Sequence, residues 1–245
     1  MRVQQQPAFV LHAAEYRETS LLLEVFSRNH GRLGLVAKGA RRAGAGLRAV
    51  LVPFQPLMLN WSGRGELGTL TAAECEAAAP VLTGRKLFCG FYLNELLMRL
   101  LHRHDPHERL YEAYQAALAR LESETEPEAA LRIFEKHLLR EIGYGLVLDR
   151  EVAQNSPIMA EALYHYIPER GPLPVPVTGP DAIEVRGASL LALARERFEH
   201  PQELHEAKRL LRALLARHLG GKPLRSRELF QHLKSGLPRL GRAGQ

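Results

Sequence analysis

The chain has 245 residues, 46% of them hydrophobic and 24% charged, with 33 Lys and Arg against 27 Asp and Glu for a net charge of +6. That apolar content is enough for one large domain or two to three small cores, and it excludes a disordered tail or a fibrous repeat. Two cysteines, Cys75 and Cys89, can build neither a disulfide framework nor a four-thiolate zinc site. The opening residues, MRVQQQPAFVLHAAEY, lack the apolar stretch of a secretory signal, and there is no run of about 18 apolar residues. A soluble, cytoplasmic protein without a membrane span is expected.

The first eighty residues read as β structure. Residues 8–14, 20–27, 31–38, 50–61 and 67–76 are short runs rich in Leu, Val and Phe, with turn residues between them. Arg28-Asn29-His30-Gly31 and Ser62-Gly63-Arg64-Gly65 have the composition of hairpin connections. About five short strands at this spacing predict a small closed or half-closed barrel. Pro53 and Pro56 favour an edge or a bulge near the start of one strand. The loop Lys38-Gly39-Ala40-Arg41-Arg42-Ala43-Gly44-Ala45-Gly46 carries cations without local acids.

After Pro80 the period changes. Leu87, Phe91, Asn94, Leu97, Met98 and Leu101 recur at helical spacing and predict a helix of roughly twenty residues. Residues 111–122 and 129–142 continue the pattern, the second placing Leu131, Phe134, Leu138 and Ile142 on one stripe. Gly143-Tyr144-Gly145 ends that helix. An acidic connector, residues 123–127, separates the two. Residues 168–180 hold five prolines, which exclude helix there. Helical pattern returns over 189–198 and 201–219, where Leu204, Lys208, Leu211, Leu214, Leu215 and Leu219 mark the buried side. Residues 226–233 read as a last short helix. The fold class expected is α+β: a barrel over residues 1–80, a central helical domain over 81–160, and a C-terminal region over 161–245, making a mostly α-helical body.

The net charge is unevenly distributed. Residues 25–65 hold seven Lys and Arg and no acid, and residues 207–245 hold ten with Glu228 as their one acid. These stretches carry +7 and +9, so the other 165 residues carry −10. Segregation of this kind is the footprint of a polyanion binder, although basic side chains also simply solvate exposed faces.

Other motifs read as structure. Gly63-Arg64-Gly65-Glu66-Leu67-Gly68 matches the dinucleotide-binding pattern by letter, yet Thr69-Leu70-Thr71 continues as strand where a helix N-terminus is needed, and Glu66 would repel a phosphate. His102, His104 and His107, with Asp105 and Glu108, form the densest set of metal-ligand types. Pro106 breaks the helix that would align them, so a solvated helix end is expected and no metal. Cys75 and Cys89 are expected to be buried and structural. No nucleophile–base set, paired acidic metal site or phosphate loop appears, and Ser20, Ser27 and Ser226 lack identifiable partners. A non-enzymatic protein with no cofactor is therefore expected.

The chain resembles the RecO family of bacterial DNA repair proteins. The residues that carry the resemblance run in order along most of the sequence. They are Ala8-Phe9-Val10-Leu11, Glu18-Thr19-Ser20-Leu21-Leu22-Leu23, Leu35-Val36-Ala37-Lys38-Gly39-Ala40-Arg41, Pro53-Phe54, Gly63-Arg64-Gly65-Glu66-Leu67 and Leu93-Asn94-Glu95-Leu96-Leu97. Arg132, Phe134, Glu135, Gly143-Tyr144-Gly145 and Gly220-Gly221-Lys222-Pro223-Leu224-Arg225-Ser226-Arg227-Glu228-Leu229 complete them. The resemblance implies an oligonucleotide-binding (OB) barrel, a helical domain and a C-terminal region packed back on it. It implies binding of single- and double-stranded DNA, annealing of complementary strands, and help in loading RecA onto DNA coated by the single-strand-binding protein SSB. The implied partners are RecR, at times RecF, and the SSB C-terminal tail, and the implied location is the cytoplasm, on the nucleoid. Many members carry four zinc-binding cysteines where this chain has Tyr166 to Pro180 without any, so it is similar to a zinc-free branch.

Annealing brings two polyanions together, and a basic surface lowers the cost by displacing counterions from both. Arg28, Arg32, Lys38, Arg41, Arg42 and Arg48 are the expected DNA-contacting set of the barrel. Lys208, Arg209, Arg212, Lys222, Arg225 and Arg227 extend this surface or serve a protein partner. Phe26, Phe54 and Trp61 read as core, so DNA binding should be mainly electrostatic. The SSB tail is acidic and ends in an apolar residue, so its receptor needs an apolar pocket rimmed by cations. Arg132 beside the Leu131–Phe134 stripe, with Lys208 or Arg209, is the expected receptor, set against Arg132 as a plain exposed helix cation. Two other classes compete: an RNA-binding module with the same architecture, marked by preference for RNA, and a nucleic-acid enzyme, marked by cleavage or nucleotide turnover.

Overall fold

The computed structural model describes residues 2–42, 46–63, 65–174, 181–220 and 223–226. Arg64, Lys222, Arg227 and nearly all of the helix expected over 226–233 lie outside these residues.

The N-terminal strands close on themselves because the first is long enough to bond two neighbours. β1 (Arg2–Tyr16) pairs antiparallel with β2 (Ser20–Ser27) through Ala8 to Tyr16, and with β4 (Pro56–Ser62) through Arg2 to Phe9. β3 (Gly31–Ala37) continues the β2 hairpin, and β5 (Leu67–Cys75) runs antiparallel to β4 and parallel to β3. The ring is β1-β2-β3-β5-β4, a closed barrel. β1 exceeds the expected run of 8–14. Residues 50–55 are not strand: α1 (Leu47–Val50) and a bend precede β4, with Pro56 as its first residue. Proline is tolerated at a strand start because no ladder donor is lost in the interior.

Successive side chains of a strand point to opposite faces. Ala8, Val10, Leu23 and Val25 point into the barrel, with Leu35, Leu57, Leu59 and Trp61. Phe9, Leu11 and Phe26 point outward into a second core built by the helices. Both faces of β1 and β2 are therefore buried, and these strands read in sequence as apolar runs rather than alternations.

Three helices follow: α2 (Gly84–Leu100), α3 (Glu108–Ser123) and α4 (Glu128–Glu141). Phe9 and Phe26 pack against Tyr111 and Tyr114 of α3 at centroid distances of 5.1–6.3 Å. Asn94, fully enclosed on α2, donates to the Leu11 carbonyl at 2.9 Å and accepts from the Tyr114 hydroxyl at 2.5 Å. These bonds satisfy an amide that would otherwise be costly to bury, and they join barrel to helices. The seam continues through Gly31, whose φ of +64° and lack of a side chain are both required. A Cβ there would lie 1.9 Å from the Asp105 carbonyl oxygen.

The C-terminal region contains a small sheet that helical periodicity did not reveal, with order β7-β6-β8. It is made by β6 (Leu163–Ile167), β7 (Gly171–Pro174) and β8 (Ile183–Arg186). The prolines at 172 and 174 sit on an edge strand, where missing donors cost nothing. Before this sheet, the loop 151–156 folds round one carboxylate: buried Glu151 accepts backbone bonds from Ala153, Gln154 and Ser156 at 2.6–3.1 Å. α5 (Gly187–Arg195) and α6 (Pro201–His218) close the body, and Leu210, Leu211, Leu214 and Leu215 of α6 enter the shared helical core.

Candidate functional site

The basic residues predicted on the barrel fall into two groups. Lys38, Arg42 and Arg48 are exposed, and none has an ion pair among the described residues. They stand on the turn after β3 and on α1, at one end of the barrel. The other three are already engaged. Arg28 bonds Glu112 of α3 at 2.7 Å with both side chains about half exposed, a pair that contributes little. Arg41 bonds Glu15 at 3.0 Å and the carbonyls of Arg17 and Glu18, tying its turn to the β1–β2 connection. Arg32 is only 18% exposed; it bonds Glu24 and the Leu101 carbonyl, while Arg103 also holds Glu24. Burial, with Arg103 alongside, pushes the Arg32 guanidinium below its ordinary pKa even as Glu24 pulls the other way. Arg32 is thus part of the seam between barrel and helices.

The second basic stretch is divided further. Arg209 turns away to the carbonyl of Glu184 in β8. Arg225 is exposed, with its backbone N–H held by Glu95, which also accepts from Ser226 N–H and hydroxyl. Arg99 holds the carbonyls of Leu219 and Pro223, so this end of the chain is pinned on α2.

Three helices then line a half-open cavity of about 290 Å³. α2 presents Arg85, Phe88, Cys89 and Tyr92, and α4 presents Glu128, Leu131, Arg132 and Glu135, each set spaced i, i+3, i+4, i+7. α6 contributes Leu204, Lys208 and Arg212 at four-residue steps, and Pro127 and Ser226 complete the lining. Arg132 and Lys208 are thus brought together as the sequence predicted, and Arg209 is not. Arg132 is 5% exposed and not a plain surface cation. It bonds Glu135 at 2.5 Å, which the Tyr92 hydroxyl also reaches at 2.6 Å. The Arg132 Nε has no hydrogen-bond partner among the described residues. Arg85, which the sequence reading missed, pairs with Glu126 and Glu128 at the rim. The stripe Arg85-x-x-Phe88-Cys89-x-x-Tyr92 was the available signal, hidden beside the stronger core stripe of α2. Burial pushes the Cys89 thiol up, which keeps it protonated and unreactive.

Residues 1–78 match the family model for the recombination protein O N terminal, and residues 82–228 match that for the recombination protein O C terminal. The chain belongs to the RecO family of DNA repair proteins. Proteins named DNA repair protein RecO from Nitrosococcus oceani and Methylococcus capsulatus are each 50% identical to it, over 96% and 94% of this chain and 95% and 94% of theirs. Another from an Azoarcus species is 48% identical over 95% of this chain and 97% of its own length.

The remaining motifs fall into place within this family. The glycine-rich letters at 63–68 lead into β5 rather than a helix, with Gly63 and Gly65 at φ +148° and +97°. His102, His104, Asp105 and Glu108 are exposed, as expected of a solvated end, whereas His107 is 12% exposed, 3.3 Å from Asp105 and 3.8 Å from Glu141. Among the described residues no three His, Cys, Asp or Glu side chains group to hold a metal ion. Cys89 is buried as expected, but Cys75 ends β5 exposed, at the strand's rim. Phe26, Phe54 and Trp61 are core, as expected. No described helix is long and apolar enough to cross a membrane.

Proposed function

We propose that this chain is a non-enzymatic recombination mediator of the cytoplasm and nucleoid. Its barrel, with strand order 1-2-3-5-4, is an OB fold that binds single- and double-stranded DNA through the cations around Lys38, Arg42 and Arg48. It anneals complementary strands and, with RecR and at times RecF, helps load RecA on SSB-coated DNA. The observation that carries the reading is the cavity between α2, α4 and α6. Its apolar walls, Phe88, Leu131 and Leu204, are ringed by Arg85, Arg132, Lys208 and Arg212. An acidic peptide with an apolar last residue and a free carboxylate, the chemistry of the SSB tail, complements such a pocket.

Arg132 is a poor first choice for mutation. Removing one partner of the buried Arg132–Glu135 ion pair costs about 3–5 kcal/mol in fold stability. Lys208 and Arg212 are exposed, so their replacement disturbs the fold less than that of Arg132. Annealing of labelled complementary oligonucleotides is expected to be accelerated by the chain, with and without SSB on the strands. Lys208→Ala with Arg212→Ala should lose the SSB-coated reaction and keep the bare one. Loss of neither, or equal loss of both, rejects the pocket's assignment.

A further inference from the structure

A second cleft, of about 260 Å³, lies where α4 and α6 end beside the β6–β7 turn. We propose that it stacks one base of single-stranded DNA, as a contact separate from the barrel, resting on the reading above that the chain binds DNA.

Its central feature is an aromatic ring held out by a fixed backbone. Gly143, with φ of +91°, turns the chain out of α4, and the Tyr144 N–H closes the helix end on the Leu139 carbonyl at 2.8 Å. The backbone of Tyr144 therefore caps the helix, and its side chain is free of that task and 44% exposed. The ring lies on the imidazole of His218, the last residue of α6, with centroids 4.0 Å apart and planes at 42°. Burial lowers the His218 pKa, Glu169 opposes this, and Arg217 adds to it, so the ring is a neutral aromatic face at pH 7.

The cleft around this pair is cationic. Arg170 is exposed and has no ion pair among the described residues. Arg217 meets Asp181 at 3.5 Å with both side chains well exposed, a pair weak enough to exchange for a phosphate. Glu169 is the opposing charge. The volume falls just under the roughly 300 Å³ at which pockets begin to take drug-sized ligands, which leaves room for a single base. A half-exposed aromatic platform flanked by two arginines is what sequence-tolerant single-strand binding uses. Buried core aromatics such as Phe9 and Tyr114 cannot serve this way.

The test uses the full chain and a dT oligonucleotide carrying one 5-iodouracil. Irradiation is expected to cross-link it to the peptide bearing Tyr144 or His218, and Tyr144→Ala to weaken binding by about 5- to 150-fold, the range for one lost stacked base. Tyr144→Phe should retain both. Arg170→Ala, too exposed to unfold the protein, should weaken binding, and Glu169→Gln should tighten it. If the wild type binds no DNA, the proposed function itself fails. If it binds through Lys38, Arg42 and Arg48 while cross-links avoid this cleft and Tyr144→Ala is silent, only the present inference fails. Cross-linking blocked by dTMP at the same concentration as the oligonucleotide's nucleotides would assign the cleft to free nucleotide and overturn the strand contact.

Discussion

Replacing Lys38, Arg42 and Arg48 together with Ala removes three barrel cations, at one end of the barrel, that face solvent without an ion pair among the described residues. Each phosphate contact on a single strand adds about 0.7 to the slope of log K against log salt, so the triple variant should lose about 2 from that slope. Between roughly 50 and 200 mM salt, those three contacts cost the wild type about 18-fold in affinity, a loss the variant does not share. Anisotropy of a labelled dT oligonucleotide across this range reads the slope directly. Arg32→Ala is the control with the opposite signature. Its guanidinium is committed to Glu24 and the Leu101 carbonyl, so the slope should stand. The lost charged bonds should instead cost about 2 kcal/mol, lowering the melting point by several degrees for a chain of this size. An unchanged slope in the triple variant would refute the reasoning, as would a slope falling by about 0.7 in Arg32→Ala.

Gly31→Ala should destabilise the chain by well over 1 kcal/mol, because a left-handed φ and contact with the Asp105 carbonyl both resist a Cβ; a denaturant midpoint equal to the wild type's would contradict the seam described here. The Glu151 carboxyl is held below its ordinary pKa of 4.5, first by the Ser156 backbone N–H, with burial opposing and Ala153 and Gln154 assisting. A depressed folded pKa means its stabilisation is complete above 4.5 and fades as pH falls through the lower folded value. Amide exchange at 153, 154 and 156 should therefore accelerate, relative to the rest of the sheet, only below about pH 4.5, and Glu151→Gln should show the fast exchange at neutral pH as well. At the cavity rim, Glu126 and Glu128 occupy Arg85 as an acidic ligand would. Glu126→Gln with Glu128→Gln should tighten an acidic, apolar-ended peptide several-fold by calorimetry, and weaker binding would assign these acids to positioning Arg85 instead.

Periodicity reported the elements whose burial pattern is simple. β2 and the closing turn at Gly143 lie where the sequence puts them, because an apolar run bounded by turn residues and a glycine end state them locally. β1 begins before the apolar run that marks it because its first half pairs with β4, and that pairing is a property of closure rather than of the strand. The β6-β7-β8 sheet carries no periodic signal of its own, because prolines that exclude helix are also compatible with an edge strand. The cavity was half legible. Arg132 and Lys208 carry distinct local signals, whereas the Arg85-Phe88-Cys89-Tyr92 stripe is masked by the stronger core stripe of α2 and joins them only once the helices pack.

Charge segregation pointed to a polyanion without saying where the charges would go. In the second basic stretch, Lys208 and Arg212 line the cavity, Arg209 holds β8, Arg217 stands at the Tyr144 cleft, and Arg225 lies on the segment pinned to α2. One helix thus sends cations to three places, because its exposed positions rotate about 100° per residue and each faces a different neighbour. Only the net excess of positive charge survives at long range, where it attracts a polyanion of any sequence. At contact distance the cations separate into a cavity with apolar walls, the proposed seat of a carboxylate-ended peptide, and a cleft with the exposed ring of Tyr144, the proposed seat of a base. The total charge therefore predicts the class of ligand, and the faces of α6 predict that there is more than one.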